Sequence, residues 1–206
     1  MLRTGMRAIP VWWLLAAFLS GFAVAMWAED VILTWRDNQL LFAAPRLHFL
    51  TGKPLERLRN AAPVPFDFQI TLWSGNRSHI FRKRAERFVV SYDLWEERYS
   101  VTELAEPRKT NGHMTAQAAE TWCLQQMPLD VSGLDGRETF WARLEVRAAE
   151  EKRGGKDSMP RFVSETGISL NGLVEIFSRP PPTGLPHWTM DTGPMTIDEV
   201  RRARGS

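Results

Sequence analysis

Apolar residues recur at every second position in two stretches of the chain, residues 64–73 and 138–149. A period of two residues is typical of a β-strand that buries one of its faces. Because both strands carry a continuous apolar side, we predict that these sides meet in a single core. The core residues predicted in this way are Phe66, Phe68, Ile70, Phe140, Leu144 and Val146.

Weaker alternation predicts further strands that are joined as hairpins. Residues 31–44 alternate on both sides of Asp37-Asn38, a pair that is common in turns. Residues 88–101 alternate around a reversal at residues 93–96, whereas residues 106–113 are polar and predict a loop. Hairpin connections imply antiparallel strands.

Short helices are predicted over residues 54–61, 115–127 and 170–177, and after residue 196. Thr115 is suited to cap the second of these helices, and Thr196 with Glu199 has the pattern of a capping box. Six strands with these helices predict a mainly β fold. We expect an antiparallel β-sandwich, or a curved sheet with two or three short helices packed on one side.

The first 28 residues have the pattern of an export signal. Arg3 and Arg7 precede an uncharged apolar run over residues 8–28. Ala23-Val24-Ala25 predicts cleavage after Ala25, with cleavage after Ala28 as the second choice. The alternative is an uncleaved membrane anchor, since the run approaches the ~20 residues that span a bilayer. Both interpretations predict an extracytoplasmic protein, either periplasmic or secreted, or held at the membrane by its amino terminus.

The remainder of the chain divides at a proline-rich segment. We predict a β-rich extracytoplasmic domain over residues 29–178 and a Pro-rich tail with a short terminal helix over residues 179–206. The chain has 26 Lys and Arg against 24 Asp and Glu, and the export segment holds two of the arginines. The rest is formally neutral, so nucleic acid is not an expected partner. Cys123 is the only cysteine, which excludes an intramolecular disulfide and a cysteine metal cluster.

The polar faces of the two clearest strands carry unusually large aromatic residues. Trp73 and Trp141 lie there, beside Arg143 and Arg147. Tryptophan is usually well buried, so something is expected to cover these side chains. We predict that the face with Trp73, Trp141, Arg143 and Arg147 contacts either a partner protein or another part of the same chain. Tryptophan and arginine are enriched in recognition surfaces, which favours partner binding. The usual burial of tryptophan favours an intramolecular cover, either the tail around Trp188 or one of the helices.

A basic stretch over residues 77–87 has two interpretations. Five of its residues are Lys or Arg. The stretch is either a docking patch for an anionic partner, such as a membrane surface or an acidic protein, or a solvated edge strand. Charge on an edge strand blocks unwanted pairing with other chains.

Catalytic and cofactor motifs are absent from the sequence. None of the four histidines has a second histidine at metal-ligand spacing, and the nucleophile-elbow and phosphate-loop patterns do not occur. We therefore predict no cofactor, metal or catalytic residue. The sequence favours a non-enzymatic extracytoplasmic binding or adaptor module. The alternatives are a hydrolase that assembles its site from scattered residues such as Ser91, Asp93 and His113, and a membrane-tethered structural protein.

Three short segments carry a resemblance to a known family. They are residues 63–68 (PVPFDF), residues 90–101 (VSYDLWEERYSV) and residues 144–146 (LEV) at the end of a long strand. In this order they resemble the exported bacterial proteins known as domain of unknown function 4390, over residues 31–149. The loop from Glu150 and the proline-rich tail differ from that family. The resemblance implies export and a β-rich domain, and it supplies no catalytic residue.

Overall fold

The computed structural model describes residues 31–149, 163–164, 167–168, 177 and 184–203. The predicted export segment, the loop over residues 150–160 and all but Phe177 of the helix predicted over residues 170–177 lie outside this part. Among the described residues, no helix is both long enough and apolar enough to cross a membrane.

The described chain is mainly β, with eleven strands and three helices. The strands are β1 (Ile32–Arg36), β2 (Gln39–Ala43), β3 (Val64–Ser74), β4 (His79–Asp93), β5 (Arg98–Glu103), β6 (Lys109–Met114), β7 (Leu129–Asp130), β8 (Phe140–Ala148), β9 (Val163–Ser164), β10 (Gly167–Ile168) and β11 (His187–Met195). The helices are α1 (Gly52–Arg59), α2 (Ala116–Gln125) and α3 (Ile197–Ala203).

Six strands form one large antiparallel sheet in the order β11-β8-β3-β4-β5-β6. A second antiparallel sheet has the order β1-β2-β7, and β9 pairs with β10 in a separate two-stranded ribbon. The three helices, the smaller sheet and the loop between β2 and α1 contribute the buried side chains that meet the apolar face of the large sheet. The predicted antiparallel, sandwich-like β fold with two or three short helices is confirmed.

The predicted core forms at the β3–β8 pair. Phe68 lies opposite Val146, and Ile70 lies opposite Leu144, so the apolar sides of the two strands coincide. All six predicted core residues are fully or almost fully buried in one cluster. Phe49 packs edge-on against Phe66 and Phe68, with ring centroids 4.7 and 5.3 Å away. Edge-to-face contacts of this kind add to the stabilisation from apolar burial.

Both predicted helix caps are present. The Thr115 hydroxyl accepts a hydrogen bond of 3.2 Å from the backbone N–H of Ala118, at the start of α2. At α3, the Thr196 N–H donates to the Glu199 carboxylate (2.7 Å), and the Glu199 N–H donates to the Thr196 hydroxyl (3.2 Å). The starts of α2 and α3 therefore have side-chain partners for backbone N–H groups that are otherwise unpaired.

Five of the eleven strands were not predicted from the sequence: the short strands β7, β9 and β10, and the longer strands β6 and β11. The polar stretch that predicted a loop contains β6, which pairs with β5 at the edge of the sheet. Its side chains are mostly exposed, so it carries no apolar alternation. Within the predicted tail, β11 pairs with β8 at the opposite edge and places Trp188 and Met190 on the core side. Pro186 and Pro194 interrupt the pattern that would have indicated this strand.

Candidate functional site

The two predicted tryptophans lie side by side on the face of the large sheet that points away from the core. Trp73 of β3 lies directly opposite Trp141 of β8, and both side chains are half-buried. The next row of this face reads Lys83, Thr71, Arg143 and Asp191, across four adjacent strands. We call this surface the Trp–Arg face; its residues are Trp73, Trp141, Arg77, Lys83, Arg143 and Asp191.

Two arginines frame the tryptophan pair. The Arg143 guanidinium lies 5.6 Å from the centre of the Trp73 ring, and that of Arg77 lies 5.8 Å from Trp141. Both distances fall within the range of cation–π attraction. The tryptophans therefore have a cationic surround as well as a large apolar surface, which is the combination that dominates many protein interfaces.

Arg143 is held in place by Asp191 of β11. Its Nε and Nη2 donate to the two carboxylate oxygens over 2.6 and 2.8 Å. This hydrogen-bonded pair lowers the pKa of Asp191 and raises that of Arg143, and Arg77 contributes to the lowering at Asp191. A two-point pair fixes both distance and orientation, so Arg143 is positioned over Trp73 in advance of any binding.

At Gly193, strand β11 approaches the backbone of Phe140 and Trp141 closely. A Cβ atom added to Gly193 would lie 2.8 Å from the carbonyl oxygen of Phe140 and 3.1 Å from the Cα of Trp141. The φ of Gly193 is +104°, a backbone conformation that residues other than glycine rarely adopt. The close approach of β11 to β8 at this point therefore requires glycine.

Arg147 lies at the other end of the same face and has a different environment. It is only 8% exposed, and its guanidinium lies 4.4 Å from the Phe177 ring centre. It also lies 3.5 Å from a Glu145 oxygen. The structure thus brings Trp73, Trp141 and Arg143 together, whereas Arg147 is covered by another segment of the same chain.

The middle of this face is polar and yet buried. Asp67, Gln69 and Thr71 of β3 are almost inaccessible. Asp67 accepts two hydrogen bonds from Arg87, one of them 2.7 Å long, and the Gln69 amide donates to Glu145 over 3.0 Å. Long side chains from the two neighbouring strands therefore fold over the short polar residues of β3, with Phe177 beyond them.

The tail residue Trp188 does not cover the Trp–Arg face. It lies opposite Val146 on the core side of the sheet, with its ring centroid 6.3 Å from that of Phe49. The strand that carries Trp188 does contribute Asp191 and Gly193 to the face, although at its edge. In the described residues, the intramolecular cover reaches Arg147 but leaves the tryptophan pair half-exposed.

The basic stretch is divided between two structural roles. Arg84 donates to the carbonyl oxygens of Gln126 (3.0 Å) and Pro128 (2.7 Å), just after α2, and Arg87 pairs with Asp67. Strand β4 lies between β3 and β5, so it is not an edge strand over its whole length, although β5 pairs only with residues 88–93. Arg77 and Lys83 remain available to the Trp–Arg face.

The scattered residues that the hydrolase alternative named do not form a catalytic arrangement. His113 Nδ1 lies 2.7 Å from a Glu96 oxygen on the surface, and Asp93 accepts from the backbone N–H groups of Trp95 and Glu96. Those backbone hydrogen bonds lower the pKa of Asp93. Among the hydrogen bonds of the described residues, none joins Ser91 to Asp93 or His113.

Sequence reasoning missed one histidine–carboxylate pair. His48 Nδ1 lies 3.1 Å from Glu120 on α2, at a pocket of about 220 Å³ between the helix and the loop after β2. The other oxygen of Glu120 accepts from the Leu50 N–H over 2.9 Å. Thr121 supplies a hydroxyl to the pocket lining, but no hydrogen bond links it to His48 in the described chain. Glu120 therefore links the loop to the helix. In the sequence, a glutamate within the apolar stripe of α2 is the signal that could have revealed this pair.

Other reactive groups give no further site. The Cys123 thiol is buried, and burial raises its pKa far above the usual range, so it is a poor nucleophile. No cluster of three or more metal-ligating side chains occurs in the part of the chain that the structure describes. The Trp–Arg face is therefore the surface with the clearest functional chemistry.

Comparison with known proteins identifies no relative. The chain matches no protein-family model, and neither the curated proteins nor the solved structures include a similar chain by these comparisons. The resemblance to domain of unknown function 4390 stays a prediction from the sequence segments.

Proposed function

We propose that this protein is an extracytoplasmic, non-enzymatic binding or adaptor module that contacts a protein partner through the Trp–Arg face. The observation that carries the proposal is the direct pairing of Trp73 with Trp141 on adjacent strands, half-exposed and framed by Arg77 and Arg143. A covered indole hides on the order of 200 Å² of surface. The pair therefore offers enough apolar area for the centre of a small interface.

The charge of the face defines the kind of partner that it fits. Arg77, Lys83 and Arg143 surround the tryptophans, and Asp191 is the one carboxylate among the residues that define the face. An acidic protein surface with an apolar centre is complementary to this arrangement. A membrane surface is the alternative partner, because anionic head groups would also be attracted to these cations.

The extracytoplasmic part of the proposal rests on the amino-terminal sequence alone. Arg3, Arg7 and the apolar run that follows them support export. A hydrolase is less well supported, because its named residues Ser91, Asp93 and His113 are not joined in one site.

Photocrosslinking in the intact host cell tests the binding function. Thr189 is exposed on the same side of β11 as Asp191, and a photoreactive residue placed there lies next to the face. We expect it to capture a defined protein, and the Trp141→Ala change to remove that adduct without altering the circular dichroism spectrum. The matched control carries the photoreactive residue at Ile32, an exposed apolar position on the smaller sheet.

The captured protein must then bind the purified full-length chain directly. Trp141→Ala should weaken that binding at least about tenfold, as truncation of a central aromatic contact does. Equal capture from positions 189 and 32, or capture that survives Trp141→Ala, would rule out the Trp–Arg face as the contact surface.

A further inference from the structure

The turn between β4 and β5 exposes the most accessible large apolar side chain of the described chain. Trp95 is 96% exposed, and its neighbour Leu94 is 51% exposed. We call residues 93–98 the Trp95 tip. An indole so completely hydrated gains free energy when a partner covers it.

The Trp95 tip is fixed in shape before any contact. The Asp93 carboxylate accepts hydrogen bonds from the N–H groups of Trp95 (2.8 Å) and Glu96 (3.1 Å), which closes the turn. At its base, the rings of Tyr92 and Tyr99 pack with centroids 4.8 Å apart across the strand pair. A preformed turn loses little conformational entropy when it binds.

The charge of the Trp95 tip is opposite to that of the Trp–Arg face. Asp93, Glu96 and Glu97 surround Trp95, and Arg98 is the one cationic residue of the segment. A surface with this pattern is repelled by anionic lipid head groups. Its complement is an apolar surface with a basic border, which is the chemistry of the Trp–Arg face.

The two surfaces lie at opposite ends of the same molecule. Strand β4 begins beside Trp73 and ends at the Trp95 tip, and its 15 residues span about 50 Å at ~3.3 Å per residue. A β-strand within a sheet cannot bend the tip back onto its own Trp–Arg face. Only a second copy of the chain can bring the two surfaces together.

We propose that the Trp95 tip of one copy docks on the Trp–Arg face of another, so that the chain associates head to tail. This inference rests on the proposed function of that face and names its partner. A head-to-tail contact uses two different surfaces, so it leaves a free tip and a free face at the ends of each assembly and permits further addition. The contact is small, so self-association with a dissociation constant on the order of 10–100 µM is expected.

Sedimentation analysis of two variants, separately and mixed, tests the proposal on the full-length chain. Trp95→Ser removes the tip, and Trp141→Ala removes the centre of the face. Each variant alone should lose the concentration-dependent increase in mass that the unmodified chain shows, by at least about tenfold in affinity. An equimolar mixture should form a dimer and nothing larger, because one intact tip then meets one intact face.

Controls separate the contact from folding and from general stickiness. Ile32→Ser removes an exposed apolar residue of the smaller sheet, which contributes to neither surface, and it should leave the association unchanged. Arg77→Asn provides a second face variant that keeps both tryptophans, and it should weaken the association and reduce its salt dependence. Circular dichroism and the thermal midpoint should be unchanged for Trp95→Ser.

Three results would overturn the inference. A chain that stays monomeric at several hundred µM has no such contact. The binding function of the Trp–Arg face would then be tested separately, by the protein that crosslinks to position 189. Association lost with Trp95→Ser but kept with Trp141→Ala would indicate tip-to-tip pairing. Binding of the unmodified chain, but not of Trp95→Ser, to phosphatidylcholine vesicles would assign the tip to a membrane instead.

Discussion

The two faces of the β3–β8 strand pair are buried in different ways. On the core side, Phe68, Ile70 and Leu144 are buried in an apolar cluster with side chains of the smaller sheet, the helices and the loop that carries Phe49. On the opposite side, Asp67, Gln69 and Thr71 are equally inaccessible, although they are polar. The first face excludes water because apolar surfaces meet, and the second because long charged side chains fold over short ones. On this second face, the half-exposed Trp73 and Trp141 lie where the cover by long side chains ends.

Truncation of a core aromatic residue should give the largest loss of stability. Phe68→Ala is expected to lower the free energy of unfolding by about 3–5 kcal/mol, because Phe68 is fully buried and packs edge-on against Phe49 and Phe88. Equilibrium denaturation of the unmodified chain and the variant measures the difference. A loss below about 1 kcal/mol would contradict the assigned core side of β3.

The buried ion pair on the opposite face should give a smaller but still large effect. Asp67→Asn is expected to cost about 2–3 kcal/mol, because Arg87 would lose its carboxylate partner in a poorly hydrated site. The same denaturation experiment measures the loss.

The double variant Asp67→Leu/Arg87→Met is the informative control for that pair. It removes both charges, so it should be more stable than Asp67→Leu alone, although it carries one more substitution. If the losses of unfolding free energy from Asp67→Leu and Arg87→Met simply add in the double variant, the polar cover of this face does not depend on the Asp67–Arg87 pair.

The exposed end of the face should give the smallest effect, and one that depends on pH. Arg143 lowers the pKa of Asp191 from its ordinary value of 3.8. A carboxylate with a lowered pKa stabilises the fold above its unfolded pKa and loses that contribution as the pH falls through its folded pKa. Asp191→Asn should therefore cost about 0.5 kcal/mol at pH 7, as partly exposed pairs do.

Measuring the free energy of unfolding at decreasing pH tests whether the contribution of Asp191 is lost in acid, as predicted. The unmodified chain and Asp191→Asn should differ above about pH 4 and converge as the pH falls below 3.8. A difference that does not shrink as the pH falls below 3.8 would show that the pair acts through packing and not through its charge.

The sequence allowed the core side of the main strands to be predicted, because alternation over nine or more residues has one physical explanation. The alternate apolar residues from Phe66 to Leu72 and from Phe140 to Val146 are buried as expected. The alternation also placed Trp73 and Trp141 on the opposite face, and the register of β3 and β8 then made them neighbours.

The partners of that face could not be predicted, because they come from elements without a clear pattern. Asp191 and Gly193 lie on β11, whose strand pattern in the sequence is interrupted by two prolines, and Arg77 lies in a turn. The burial of Arg147 depends on Phe177, thirty residues further along the chain. Contacts over such distances leave no local periodicity, so only the folded chain shows them.

Strand β11 and helix α3 follow the other described elements in the chain, yet both sheets need them to complete their packing. β11 covers the outer edge of β8, and α3 places Ile197 and Val200 in the core, with the Arg201 guanidinium 4.2 Å from the ring centre of Trp35 on β1. Strand β1 therefore completes its packing only after α3 has been synthesised. Long-range closure of this kind slows folding, and it leaves an unpaired strand edge on the growing chain. Between the synthesis of β8 and its pairing with β11, a nascent chain exposes this strand edge, and we expect aggregation to occur most readily in that interval.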